Sequence, residues 1–149
     1  MKKLLPQANT LSTVVRTFKF IGNTMNCTLN DIADFNKFEV RQAAYYTNAC
    51  LFLDLIDENL KLTPSGKDIM QEPKRAKVRI YERIIKDELI GQLFAKVALY
   101  SKRTAIKECK DLVKKCYPEY GEAVIDRRTK CLIGWCDEIL AFIKTQNNL

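Results

Sequence analysis

Four polar side chains suited to contacting nucleic-acid bases recur along one predicted helix of about fourteen residues, between positions 39 and 53. They are Arg41, Gln42, Tyr45 and Asn48. Arg and Gln form paired hydrogen bonds with guanine and adenine edges, and Asn and Tyr reach phosphates or bases. Their spacing of i, i+1, i+4 and i+7 brings them to one side of a helix. We therefore expect this surface to contact duplex DNA, with a plain solvated face as the alternative.

The surrounding pattern predicts a helix-turn-helix. Thr28 is a suitable N-cap for a short helix over residues 29–35, and residues 36–38 form a turn before the long helix. Lys37 lies in this turn, where it is expected to contact a phosphate. An earlier helix of about a dozen residues is predicted from apolar positions between Leu11 and Ile21.

A small β-hairpin is predicted after the long helix. Leu55-Ile56 is followed by a turn at residues 57–59 and by an alternating segment at residues 60–63, and Pro64 begins another helix. Helix, turn, helix and hairpin in this order predict a winged helix-turn-helix, in which the hairpin is the wing. Lys61 would then contact a phosphate from the wing.

The apolar residues of the long helix predict which side is buried. The expected buried positions are Val40, Ala43, Ala44, Thr47, Cys50 and Leu51. Tyr46 is expected to join the core, because it neighbours Thr47 and Cys50 on the helix. The other side would remain available to a ligand.

From residue 74 onward the sequence is helical throughout. Apolar residues recur at helical spacing in four segments, near residues 78–85, 89–98, 106–116 and 122–145. Pro73 interrupts the pattern before them. The fold class is therefore mainly α, with a winged-helix domain at residues 1–72 and a helical C-terminal unit at residues 73–149 that packs on it.

A basic cluster opens the last predicted helix, at Arg127, Arg128 and Lys130. A second helix-turn-helix, formed with the preceding helix, would place these residues on the DNA backbone. The alternative is a basic helix surface in solution. Lys110, Lys114 and Lys115 either extend the same patch or are cations at a helix C-terminus, where the dipole favours positive charge.

Composition favours a globular protein with an anionic partner. The 149 residues are 47% hydrophobic and carry a net charge of +7, and residues 72–149 hold 17 Lys or Arg against 11 Asp or Glu. No apolar run approaches the roughly 20 residues that span a bilayer, so we expect a cytoplasmic protein without membrane contact.

The sequence offers little catalytic or metal chemistry. There is no histidine, and no pair of the six cysteines has C-x-x-C spacing, so neither a metal nor another cofactor is expected. The cysteines have apolar neighbours, which favours reduced core thiols over disulfides. A nuclease site at Asp54, Asp57, Glu58 and Lys61 is a weaker alternative, since the hairpin already explains that turn. We expect no enzymatic activity.

A family resemblance rests on two segments, RQAAYYTNACLFLDLI at residues 41–56 and LTPSGK at residues 62–67. They resemble the winged-helix module attached to bacterial restriction endonucleases and some prokaryotic ATPases. The matching positions are Arg41, Gln42, Tyr45, Tyr46, Asn48, Leu62, Thr63 and Gly66. Asp54 stands where that family usually has glycine.

The resemblance covers most of the chain, strongly over residues 28–70 and weakly after residue 120. Residues 126–129 and Trp135 are similar to an arginine pair and tryptophan-rich helix of the family, but Cys131 replaces a threonine and Glu138 a second tryptophan. It implies sequence-specific binding of double-stranded DNA, as a recognition component or regulator of a restriction-modification or defence system.

The resemblance also implies an endonuclease or ATPase subunit as a candidate partner, with any cleavage residing elsewhere. Two half-sites would raise specificity, so a homodimer is an alternative to a monomer. The rival function is a protein–protein interaction module, an adaptor or inhibitor, because Tyr and Arg are also favoured interface anchors.

Overall fold

The computed structural model describes residues 3–147 and is mainly α-helical. The chain divides into two compact units, Met1–Arg83 and Ile84–Leu149. The domain boundary proposed from Pro73 lies earlier in the chain and stays a prediction. Within the described residues the α-helices are α1 (Leu11–Asn23), α2 (Leu29–Asn36), α3 (Val40–Phe52), α4 (Pro64–Met70), α5 (Ala76–Lys86), α6 (Glu88–Leu99), α7 (Lys102–Cys116) and α8 (Glu122–Asn147), with a 3₁₀ turn at Pro73–Arg75.

The first unit is built on α1, whose apolar residues form one stripe. Leu11, Val14 and Phe18 are all fully buried, as their spacing predicted. This helix packs against both α2 and α3. The three helices therefore share a core.

Helix α2 has well-defined ends. Thr28 Oγ1 accepts a hydrogen bond from the Asp31 backbone N–H at 3.2 Å, and the Asp31 carboxylate accepts one from the Thr28 N–H at 2.9 Å. This capping box confirms the predicted start. The helix ends at Lys37, which is left-handed with φ 58°, and the Phe38 N–H donates to Ala33 O at 3.0 Å. A left-handed C-cap turns the chain sharply toward α3.

Helix α3 begins after Glu39 as its N-cap. Ala43, Thr47 and Cys50 are buried as predicted, and so is Tyr46, whose ring stacks on Phe38 with centroids 5.5 Å apart. The predicted buried side was wrong at Val40, which is 45% exposed. It lies in the first helical turn, where the chain has just left the turn and no neighbouring helix covers it. Ala44 and Leu51 are only partly buried.

The segment after α3 is a tight loop. Among the described residues its only bridge is the antiparallel pair Ile56 and Leu62, so two regular strands do not form there. The Asp57 carboxylate accepts hydrogen bonds from the Asn59 and Lys61 N–H groups, at 2.8 and 3.1 Å. Leu60 is left-handed with φ 58°. This local turn interrupts the extended backbone that a longer ladder would need.

The residues at the start of α4 pack closely against the backbone of the loop that precedes them. Thr63 Oγ1 accepts from the Gly66 N–H at 3.0 Å and donates to Asp54 O at 2.6 Å. A Cβ on Gly66 would lie 2.1 Å from Leu55 O, so only glycine fits there. Thr63 and Gly66 thus tie α4 to the loop that follows α3.

The second unit contains α6, α7 and α8, which pack against one another. All four helices predicted after residue 74 are present at close to the predicted bounds. Trp135 is fully buried, together with Leu132 on α8, Leu93 on α6 and Val113 on α7. Its ring therefore belongs to the core of this unit.

The cysteines contribute small apolar groups to both cores. Cys27, Cys50, Cys109, Cys131 and Cys136 are buried, and no disulfide forms among the described residues. Reduced core thiols were the prediction from sequence, although Cys116 is only partly buried. None of the helices in the described part combines the length and apolar character that crossing a bilayer requires.

Candidate nucleic-acid interface

The polar residues of α3 lie mostly where the sequence predicted. Arg41, Gln42 and Asn48 are exposed, and Tyr45 is partly exposed. Arg41, Tyr45 and Asn48 share one face, whereas Gln42 is turned by about 100° around the helix from Arg41. The candidate surface is therefore a face of three side chains with Gln42 at its edge.

Arg41 and Tyr45 form a pair one turn apart. Arg41 Nε donates to the Tyr45 hydroxyl at 2.9 Å, and the guanidinium carbon lies 5.8 Å from the ring centroid. This cation–π stacking orients the guanidinium along the helix surface. The bond uses only Nε, so the terminal nitrogens keep the donors that a bidentate contact requires.

The exposed polar face runs from Arg41, in the first turn of α3, to Asn48, the ninth of its thirteen residues. Past Asn48, the residues Ala49, Cys50 and Phe52 are buried. In a helix-turn-helix the N-terminal residues of the second helix contact base edges. Arg41 and Tyr45 lie in the first two turns of α3, and Asn48 lies beyond them.

Two cations hold the C-terminal end of α3. Lys3 Nζ donates to Phe52 O at 2.9 Å, and Arg83 Nε donates to Leu53 O at 2.6 Å. Carbonyl groups at a helix C-terminus carry partial negative charge, which cations stabilise. The sequence did not identify either residue, because both are remote from α3 in the chain.

Asp54 occupies a left-handed position directly after this end, with φ 56°. Glycine adopts that conformation at no steric cost. Here a carboxylate stands in its place and lies 3.5 Å from Arg83 Nη2. The helix end is thus closed by a side-chain ion pair.

Lys37 and Lys61 both lie in exposed loops of the first unit. Lys37 ends α2, three residues before α3 begins, and Lys61 follows the left-handed Leu60. Both side chains are accessible to an anionic ligand.

Two of the acidic residues considered for a nuclease site make contacts within the first unit. Asp57 accepts two backbone N–H groups of its own turn, and Asp54 pairs with Arg83. No group of three or more Cys, Asp or Glu side chains between residues 3 and 147 is arranged to hold a metal ion.

The second basic cluster divides between two sides of α8. Arg127 and Lys130 are exposed, whereas Arg128 is partly buried and turned by about 100° from Arg127. Asp126 lies beside them, with Oδ1 2.9 Å from Lys110 Nζ on α7. Its hydrogen bonding and negative charge raise the pKa of Lys110. Lys114 and Lys115 are exposed near the end of α7.

Three further exposed residues near these surfaces were not singled out from the sequence. Val40 adjoins Arg41 at the start of α3, and Arg103 and Lys107 lie on α7. A signal for the last two was present. Arg103, Lys107, Lys110 and Lys114 follow the helical spacing i, i+4, i+7 and i+11.

The chain was compared with known protein families, curated proteins and solved structures. The profile of a domain of unknown function, DUF7226, matches residues 13–144. Searches of curated proteins and of solved structures found no match. The matched range begins in α1, ends in α8 and covers most of the chain, so the protein belongs to the DUF7226 family.

Proposed function

We propose that the protein binds double-stranded DNA with sequence preference, using the N-terminal part of α3 as a recognition helix. The observation that carries the proposal is the position of Arg41, Tyr45 and Asn48. They form one polar face, exposed at Arg41 and Asn48 and partly exposed at Tyr45, along the first nine residues of the second helix in an α2–turn–α3 unit. The major groove admits an α-helix and presents a distinct hydrogen-bonding pattern for each base pair.

Each side chain on this face has a definable role. Arg41 would donate two hydrogen bonds to a guanine, and Gln42 or Asn48 would pair with an adenine. Tyr45 keeps the guanidinium of Arg41 in place through its hydroxyl and ring. Val40 is 45% exposed and turned by about 100° from Arg41, at the edge opposite Gln42, where it could contact a thymine methyl group.

Phosphate contacts would come from the flanking loops and from the second unit. Lys37 precedes α3, and Lys61 belongs to the loop that we propose acts as a short wing. Arg127 and Lys130 would add sequence-independent contacts. Arg128 would contribute less, since its side chain is partly buried.

We propose that this activity serves a restriction-modification or defence system, as the resemblance of residues 28–70 implies. In that role the protein would supply DNA recognition in the cytoplasm, and an endonuclease or ATPase subunit would supply any catalysis. A homodimer would place two copies of α3 on adjacent half-sites.

The proposal is tested by selection from a duplex library with randomised sequence, followed by binding titrations on the enriched duplex. The wild-type protein should enrich a defined sequence. Arg41→Ala should lose about 1–3 kcal/mol of preference at one base pair, because it removes a bidentate contact. Lys74→Ala is the matched control, since it removes one exposed positive charge from the 3₁₀ turn of the first unit.

Two results would contradict the proposal. One is an Arg41→Ala protein that retains full preference for the selected duplex. The other is a wild-type protein that enriches no sequence from the library while binding all duplexes equally, which would leave only non-specific association.

A second candidate function is recognition of a protein partner by the same surface. The exposure of Val40 beside the stacked Arg41–Tyr45 pair favours it, because Tyr and Arg dominate binding energy at many protein interfaces. The two functions differ in their response to salt. Binding of DNA should weaken steeply between about 50 and 200 mM salt, as counterion release requires.

A further inference from the structure

Helix α7 carries a basic stripe along its exposed side. The stripe consists of Arg103, Lys107, Lys110 and Lys114. At 3.6 residues per turn these four positions fall within a sector of about 60° around the helix axis. The opposite side of the helix holds the buried residues Ala105, Cys109 and Val113.

The stripe is both long and accessible. From Arg103 to Lys114 the helix rises by about 16 Å. Arg103, Lys107 and Lys114 are exposed, and the Lys110 side chain is 42% exposed. Of the acidic residues on α7, Glu108 pairs with Lys96 at 3.9 Å, and Asp111 is the one exposed acid at the edge of the four cations, about 40° around the axis from Lys107. Positive charge therefore dominates this side.

An ion pair joins the stripe to α8. Lys110 Nζ lies 2.9 Å from Asp126 Oδ1, and the exposed cations Arg127 and Lys130 follow on α8. Asp126 neutralises Lys110 in the middle of the stripe. Its removal would add one available positive charge without adding a new side chain.

We propose that the basic stripe of α7 binds the phosphate backbone of duplex DNA, independently of sequence. This proposal rests on the proposed function, in which α3 supplies sequence preference. The charge of the stripe and its length both favour duplex DNA as the ligand. With phosphates at intervals of about 3.4 Å along the axis of each strand, the stripe spans about five of them.

The first test removes three positive charges from the stripe. The variant Arg103→Gln/Lys107→Gln/Lys114→Gln is compared with wild type by fluorescence anisotropy on a random-sequence duplex from 50 to 200 mM salt. The salt slope is the magnitude of the slope of log binding constant against log salt concentration. Each lost phosphate contact should lower it by about 0.9, so three should lower it by about 2.7. The loss of affinity over this range should then be about 40-fold smaller than in wild type.

A matched triple variant controls for net charge. Lys74→Gln/Lys86→Gln/Lys144→Gln removes three exposed positive charges that lie off the stripe. Its salt slope should remain close to that of the wild type. Equal slopes for the two triple variants would overturn the proposal, because net charge alone would then explain the binding.

The second test adds charge and does not depend on a loss of binding. Asp126→Asn should free Lys110 and raise the salt slope by about 0.9, with tighter binding at low salt. Asp137→Asn, an exposed acid on the same helix, is the control and should not raise the slope. Unchanged binding by Asp126→Asn would argue against a role for Lys110.

The outcomes separate this proposal from the function of α3. Wild-type protein that binds every duplex equally but needs the stripe would support this proposal and contradict sequence preference. Sequence-selective binding that is unaffected by the stripe variants would support sequence preference and contradict this proposal. Loss of affinity for phosphatidylserine vesicles in the stripe triple variant, with duplex binding unchanged, would identify an anionic membrane as the ligand and overturn the choice of DNA.

Discussion

Gly66→Ala tests the close contact between the start of α4 and the loop after α3. A Cβ at this position would lie 2.1 Å from Leu55 O and 3.1 Å from the Leu55 carbonyl carbon. Both atoms belong to the backbone, so no side-chain rotation relieves the overlap. The two segments must separate by about 1 Å to restore an ordinary contact.

The magnitude follows from the contacts that such a separation disturbs. Overpacking of a well-packed site costs about 1–3 kcal/mol, and the backbone position of Leu55 O favours the upper end. Weakening of the Thr63 cap, whose Oγ1 accepts from the Gly66 N–H, adds about 1 kcal/mol. The higher helix propensity of alanine offsets about 1 kcal/mol. We expect a net loss of about 2–3 kcal/mol in the free energy of unfolding.

Urea unfolding followed by far-UV circular dichroism measures this loss. With an m-value of about 1–3 kcal/mol/M, the midpoint should fall by about 1 M or more. Gly121→Ala is the control, because a Cβ there meets no atom within 4 Å. It should change the stability by less than about 1 kcal/mol. A Gly66→Ala protein as stable as Gly121→Ala would refute the close approach of these two segments.

Further predictions concern single residues of both units. Lys37→Gly should raise the free energy of unfolding by about 1 kcal/mol, because φ 58° strains any residue with a Cβ. The same change should weaken DNA binding, and lower stability would contradict the left-handed cap. Trp135→Ala should cost about 3–5 kcal/mol, since the ring is 0% exposed, and an unchanged melting temperature would place the ring at a surface. Lys130→Ala should weaken binding to all duplexes alike in titrations, and an altered base preference would contradict a phosphate contact. Burial raises the pKa of Cys50 to about 12 from an ordinary value of 9.0. The unfolded chain therefore loses this proton first as pH rises above about 9, so stability should fall from pH 9 to 10, and less so in Cys50→Ala.

Much of the fold could be predicted from sequence because helical periodicity is a local signal. The stripe of α1, the Thr28 cap and the turn at Lys37 each depend on a few neighbouring residues. The long helix was located well for the same reason. The exposure of Arg41, Tyr45 and Asn48 was also predicted, since the buried Ala43, Thr47 and Cys50 lie on the other side of α3.

What could not be predicted depends on contacts between distant residues. Arg83 binds Leu53 O across 30 positions, and Lys3 binds Phe52 O across 49. The short bridge between Ile56 and Leu62 replaced a predicted hairpin, because Asp57 folds its carboxylate onto its own turn. The exposure of Val40 depends on which helices surround the start of α3, and local periodicity does not contain that information.

The clamping of α3 by Lys3 and Arg83 has a thermodynamic consequence for any ligand of this helix. A helix whose C-terminal end is already held in place loses little conformational entropy when it binds a ligand. Association should therefore lack the large negative heat-capacity change that accompanies coupled folding, and its enthalpy should vary only weakly with temperature.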